Sequence, residues 1–331
     1  MGNYDFLREF SYRYGHRRQL TCHCNNINYR MNQSDKYRIV NQVLALCRFA
    51  GVEPRLFEVL IHHFHNLEDI FRADTSSLMA INGMATETAK KISHQTTLLK
   101  EADKFHTRLT ERDIAVTTRF DNSFPQLLFE LNDPPPLLYI RGKTPDNSKK
   151  TVALVGAENA TNQGIELTVR LAGSFGAAGV QIVASLRKGI DAAAHLGAKA
   201  ADGISFGVLD SGFDHIHPPE HIPLAIDIAQ SGGVISEYPP DQIYTMENYN
   251  SSNRILVGLA QAVVVTELYN DSIHALNLLS FCRQIGKLTF FMINPEWGTL
   301  ADEGSFAEAV SFGAIPMVGF DKIDDIIKVL I

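Results

Sequence analysis

Cysteine is scarce. Cys22, Cys24, Cys47 and Cys282 are too few and too scattered in 331 residues for a disulfide framework. Cys22-His23-Cys24 has no second pair at zinc-site spacing, so no metal is expected. No apolar run is long enough to span a bilayer, and the opening residues lack the apolar core of a signal peptide. Both absences point to a cytoplasmic protein without a membrane partner. Positive charge is also short. Thirty Lys and Arg face 37 Asp and Glu, a formal net of −7, whereas a nucleic-acid protein should leave a basic footprint. The dinucleotide pattern G-x-G-x-x-G and the phosphate loop G-x-x-x-x-G-K-[ST] are missing as well, so no cofactor is read. What is present, 45% apolar and 20% charged residues, is an ordinary globular balance long enough for two or three units.

The charge is unevenly spread. Residues 1–150 hold 21 basic and 17 acidic side chains, a net of +4, and residues 151–318 hold 7 and 17, a net of −10. Halves this different suggest two domains with different partners. Residues 1–32 are polar and aromatic without periodicity and read as a disordered tail, with Met31 a candidate natural start. A small all-α domain follows over 33–100, with Ser34 or Asp35 as its first cap and helices at 41–49, 54–64, 67–72, 75–81 and 86–97. Gly83 would permit a helix-hairpin-helix turn that offers free N–H groups to a phosphate. Equally, Ile81, Ala89 and Ile92 would simply pack. Residues 101–150 read as an ordered connector, with short strand-like runs at 114–118 and 137–140 separated by Phe124-Pro125 and Asp133-Pro-Pro-Pro136.

From Thr151 the pattern alternates apolar strands (152–155, 180–184, 205–209, 233–236, 262–266, 288–293, 314–318) with helices. That is the signature of α/β architecture, a parallel sheet covered on both faces over 151–331. Ligands of such sheets bind beyond the carboxyl ends of the strands. Gly156 opens the first loop and the helix start near Gly164 would favour an anion, which Glu158 in the same loop would oppose. Arg187, Lys188 and Gly189 before the next helix make the best phosphate candidate, against a solvated turn balanced by Asp191. Asp191 and His195 share a helix face, as an acid–base pair or as structural hydrogen bonds. The loop 210–220 is a proline-stopped excursion suited to a pocket rim. Asn248, Tyr249, Asn253 and Arg254 suit stacking and hydrogen bonding to bases. Equally, Asn253 and Arg254 suit capping and pinning a helix.

Together these loops resemble the DNA-processing protein A family (DprA/Smf). The resemblance rests on Leu186-x-x-Gly189-Ile-Asp191-Ala-Ala-Ala-His195, Gly212-Phe-Asp214-x-Ile-x-Pro218-Pro219, Ser236-Glu237-Tyr-Pro239 and Asn253-Arg254-Ile-x-x-Gly258-Leu. Upstream, Asp133-Pro-Pro-Pro-Leu-Leu-Tyr139-x-Arg141-Gly142 extends it, so that it covers roughly 34–318. It implies an extended Rossmann-like parallel sheet behind a small SAM or helix-hairpin-helix domain. It also implies single-stranded DNA binding, loading of the RecA recombinase in DNA uptake and natural transformation, a homodimer, and no catalysis. The implied DNA-binding residues are Gly156, Asn159, Gly164, Arg187, Lys188, Gly189, Asn248, Tyr249, Asn253, Arg254 and Ser272.

This chain is a diverged member of the pattern. Glu158 stands where the family carries Arg, and Asn250, Ser251 and Ser252 stand where Pro and basic residues are usual. Each lost cation removes about one unit of salt slope, so DNA affinity should fall by orders of magnitude. The alternatives are a sensor of a nucleotide or phosphorylated small ligand, and a scaffold with weakened DNA binding. A nucleotide hydrolase ranks last, because the P-G-G-x-G-T-x-x-E signature of related enzymes is missing.

Overall fold

The computed structural model describes residues 32–269 and 271–330. The readings made for the tail, for Cys22-His23-Cys24 and for Met31 lie outside them. From Tyr37 onward the chain forms one compact unit.

Among the described residues six helices come first. They are α1 (Gln33–Leu44, continued by a wider turn over Ala45–Ala50), α2 (Pro54–Phe64), α3 (Leu67–Arg72), α4 (Thr75–Met79), α5 (Thr86–Ser93) and α6 (Gln95–Glu111). Helix α1 starts close to the expected Ser34 or Asp35 cap and well before the run 41–49, with Asn32 Oδ1 accepting the Asp35 N–H at 2.8 Å. Proline opens α2, where its fixed φ suits the first turn, and the Asn66 and Asp74 side chains cap α3 and α4. Gly83 makes the turn before α5 at φ +83°. Ile81, Ala89 and Ile92 are buried in the core, while Lys90 pairs with Glu87 on the surface. The helix expected over 86–97 breaks at His94 into α5 and α6.

The sheet has nine strands: β1 (Ala115–Thr118), β2 (Leu137–Gly142), β3 (Thr151–Val155), β4 (Gln181–Ser185), β5 (Ser205–Val208), β6 (Gly233–Ser236), β7 (Ala262–Val265), β8 (Leu288–Ile293) and β9 (Ile315–Val318). Their order is β1-β2-β6-β5-β4-β3-β7-β8-β9. Strands β3 to β9 run parallel. β2 lies antiparallel to β6, with Ile140 opposite Ile235, and to β1, with Tyr139 opposite Val116. The connector's two short runs thus extend the same sheet. The later helices are α7 (Asn162–Ala177), α8 (Ile190–Ala200), α9 (Ile222–Ser231), α10 (Met246–Gly258), α11 (Ile273–Ile285), α12 (Glu303–Ser311) and α13 (Ile323–Val329). This is the expected mixed α/β, Rossmann-like parallel sheet with helices in front. No helix among the described residues is long and apolar enough to cross a membrane.

Side-chain alternation explains the apolar strands. Val152, Leu154, Ile182 and Phe290 enter one core, and Ala153, Val155, Val183 and Phe291 enter the opposite one. A third core joins the helices to the sheet edge: Leu44, Phe57, Leu60, Ile70 and Leu78 cluster with Tyr139, Val234, Phe213 and Ile228. Strand order reverses between β3 and β7, and that switch point opens the crevice where such sheets bind ligands.

Candidate nucleic-acid interface

The loops after β3, β4 and β7 meet at this crevice and interlock through their backbones. Ala157 N–H donates to the Glu267 carbonyl at 3.0 Å, and Ile190 N–H donates to the Ala157 carbonyl at 3.1 Å. Gly189, at φ +70°, permits the second crossing, because a side chain there would strike the Ala157 carbonyl. The N-terminus of α7, the expected anion seat, already holds an anion. Both carboxylate oxygens of the fully buried Glu267 accept the Thr161 N–H at 3.0 and 3.1 Å. Gly164 makes this possible, since a Cβ there would overlap the Glu267 carboxylate.

The turn before α8 is likewise held from within. Asp191 accepts the Ser185 N–H at 3.3 Å and the Ser185 hydroxyl. His195 Nε2 lies 3.0 Å from the Ser185 carbonyl, which only accepts, so Nε2 carries the proton and Nδ1 takes the Ser205 hydroxyl at 3.1 Å. Of the two readings for Asp191 and His195, the structural hydrogen bonds are the ones present. Burial pushes the His195 imidazole down to about 4 and the Asp191 carboxyl up to about 6, the latter against the pull of Arg187.

Arg187 points inward. Only 8% of its side chain is exposed, and it donates to the Tyr249 carbonyl at 2.9 Å, Asn253 Oδ1 at 3.2 Å and Ser252 Oγ at 3.4 Å. The guanidinium also lies 3.7 Å from Asp210 and 3.6 Å from the centre of the Tyr249 ring. Tyr249 is itself buried, its hydroxyl on Glu158 and its ring edge-on to His274 at 3.4 Å. Arg254 donates to the Asp133 carbonyl at 2.8 Å and to the Glu237 carboxylate, and so pins α10 to the proline turn before β2. The Ser272 hydroxyl accepts the Tyr269 N–H at 3.0 Å. Three of the implied residues face outward more freely. Lys188 is 57% exposed and pairs with Glu220 at 2.6 Å. Asn159 donates to Asp271 at 3.1 Å, and Asn248 donates to the Ile243 carbonyl at 3.2 Å.

The structure therefore brings the implied residues onto one face but uses most of their polar atoms inside the protein. Every charged group among them, and two of the uncharged donors, has a carboxylate beside it: Glu220 at Lys188, Asp210 at Arg187, Glu237 at Arg254, Asp271 at Asn159 and Glu158 at Tyr249. The sequence reading singled out Glu158 as opposing an anion, but not the pairings made by Glu220, Asp210, Glu237 and Asp271, nor His274. A carboxylate one residue past an all-apolar strand, as Glu267 is past Val263-Val-Val-Thr266, was the available signal for the filled helix terminus. Beside this face, Phe213, His215, His217, Pro219, Ile226 and Tyr244 line a largely apolar cleft of about 500 Å³.

A family model described as DNA recombination-mediator protein A matches residues 115–311. The Smf protein of Synechocystis is 32% identical over 68% of this chain and 57% of its own length, so the chain spans little more than half of that relative. The DNA processing protein DprA of Bacillus subtilis is 29% identical over 60% of this chain and 69% of its own. DNA processing protein A from Streptococcus pneumoniae shares the fold with a TM-score of 0.71 at 21% identity, covering 88% of this chain and 98% of that one. The Helicobacter pylori protein of the same name gives 0.56 at 22% identity, over 65% and 96%. With its sheet, its interlocked loops and more than half its length matched, the chain belongs to the DNA recombination-mediator protein A family, that of DprA and Smf.

Proposed function

We propose that this chain binds single-stranded DNA on the face formed by the loops after β3, β4 and β7 and the start of α10. Family membership over 115–311 carries the reading, because that stretch contains all of these loops. The H. pylori relative, whose structure is described by its single-stranded DNA binding mode, supports the ligand class. Lys188 meets phosphate, Asn159 and Asn248 meet base or sugar edges, and Gly156 and Gly189 let loops and strand approach. Arg187, Tyr249, Asn253, Arg254 and Ser272 hold that surface in shape, and Gly164 makes room for Glu267. The bound strand is handed to a RecA recombinase during DNA uptake and recombination. The protein acts in the cytoplasm, without catalysis, as a homodimer built on its Rossmann-like half.

Fluorescence anisotropy with a labelled oligonucleotide tests the binding. Association at low salt is expected, with a salt slope reduced by about one in Lys188→Ala. No association at low salt overturns the reading. Stimulation of RecA filament growth on the same strand tests the handover. The carboxylates beside each cation also favour a second reading, a nucleotide or phosphorylated small ligand of low charge. Thermal stabilisation by nucleotides and not by oligonucleotides would select it.

A further inference from the structure

The crevice between the β3 and β7 loops is where a parallel sheet offers helix N-termini to an anion. The residue this chain presents there is a carboxylate. Glu158 is exposed on the β3 loop, and its Oε1 accepts the Tyr249 hydroxyl from α10. The same oxygen lies 4.0 Å from His274 Nε2, on the first turn of α11. His274 Nδ1 is buried without a hydrogen-bond partner. One side chain thus ties the β3 loop to α10 across the crevice mouth and borders the first turn of α11, whose His274 imidazole is held neutral by burial and by Arg187. Behind it, Gly156, Arg187, Asp191, His274 and Leu278 close around about 10 Å³ of free space, roughly one water. Arg187 is the cation lining that space, and Asp191 and Asp210 flank it.

We infer that Glu158 is a specificity-determining residue: it takes the donor a phosphate would take, the Tyr249 hydroxyl, and thereby latches the crevice shut against polyanions. Tyr249 then remains clamped between Arg187 and His274, with its ring unavailable to a base. A DNA strand on this face lies across Lys188 outside the crevice and enters only where the latch is released. The inference rests on the DNA reading proposed above. Its charge logic is that of a built-in repulsive element, which excludes one ligand class more cheaply than new contacts would select another.

The test compares full-length wild type, Glu158→Gln, Glu158→Arg and Tyr249→Phe by anisotropy with a 20-nucleotide oligo-dT. Amide hydrogen exchange over 156–161 and 245–250 is followed in parallel. Glu158→Gln should bind about tenfold more tightly, and Glu158→Arg more tightly still, with a salt slope steeper by about one to two. Tyr249→Phe, which breaks the tie and leaves the charge, should also tighten binding, by about threefold. Exchange should quicken over both segments in Glu158→Gln and Tyr249→Phe. Unchanged exchange overturns the latch, and so does tighter binding in Glu158→Gln without any change in Tyr249→Phe, which would leave bare repulsion. Lys188-dependent binding by wild type that Glu158→Gln leaves within twofold overturns this inference alone. If neither wild type nor Glu158→Arg binds, the DNA reading of the face falls with it.

Discussion

His195 and Asp191 respond to acid in opposite senses. The imidazole binds a proton near 6.5 in the unfolded chain and near 4 in the fold, so its contribution to stability is full above 6.5 and is lost as pH falls toward 4. The Asp191 carboxyl binds near 3.8 unfolded and about 6 folded, so its contribution is full below 3.8 and is lost as pH rises through 6. Between pH 4 and 6 the two nearly cancel. Asp191→Asn should unmask the histidine, and from pH 6.5 to 4 its unfolding free energy should fall by about 3 kcal/mol more than that of the wild type in urea titrations. Gly164→Ala should cost about 2 kcal/mol or more by forcing a methyl into the Glu267 carboxylate. The double variant Gly164→Ala/Glu267→Ala should lose less than the two single changes combined. At this scale Lys188 and Glu158 are exposed on the loops where the sequence placed them, and only the structure adds their partners Glu220 and Tyr249. The sequence misled at Arg187, because an arginine in a polar stretch reads as surface charge, and at Arg254 it left base contact and helix pinning open, of which the pinning is present. Their burial is created by Asp210, Asn253 and Glu237, which only the folded topology brings near.

Among the elements, the parallel strands were readable almost to the residue, because strands buried on both faces are continuous apolar runs bounded by glycine and polar turns. The antiparallel strands β1 and β2 were visible as runs but not as members of the sheet. Nothing local announces that Ile140 will face Ile235. The start of α1 was placed within two or three residues by the Ser34 or Asp35 cap, whereas the run 41–49 marked only its apolar part, because its first turns are polar. Arg254 carries the junction between α10 and the proline turn. Replacing it with Ala leaves the Glu237 carboxylate buried and uncompensated, at a cost of about 3 kcal/mol in chemical denaturation. Burial already pushes that carboxyl upward, so Arg254→Ala/Glu237→Gln should recover much of the loss. Weaker DNA binding in Arg254→Ala would report a shifted α10 rather than a lost phosphate contact.

For the molecule as a whole, the +4 of the first half belongs chiefly to its first residues. Residues 1–32 carry five arginines against Asp5 and Glu9, and residues 33–150 are nearly balanced, with 16 basic and 15 acidic side chains. A chain beginning at Gln33 should therefore lose affinity for single-stranded DNA at low salt and approach the full chain at high salt. One hydrophobic cluster runs from the helices into β1, β2 and α9. Thermal unfolding followed at helix and sheet signals should accordingly give one coincident transition, and two separated transitions would contradict the shared core. The buried Arg187 guanidinium adds a mechanical consequence. It bolts the turn after β4 to the backbone and side chains of α10, with Asp210 behind it, so turn and helix travel as one rigid lever. Load applied at the neighbouring Lys188 is transmitted directly to Asn248 and Tyr249, making the far wall of the crevice a strain gauge for whatever rests on its rim.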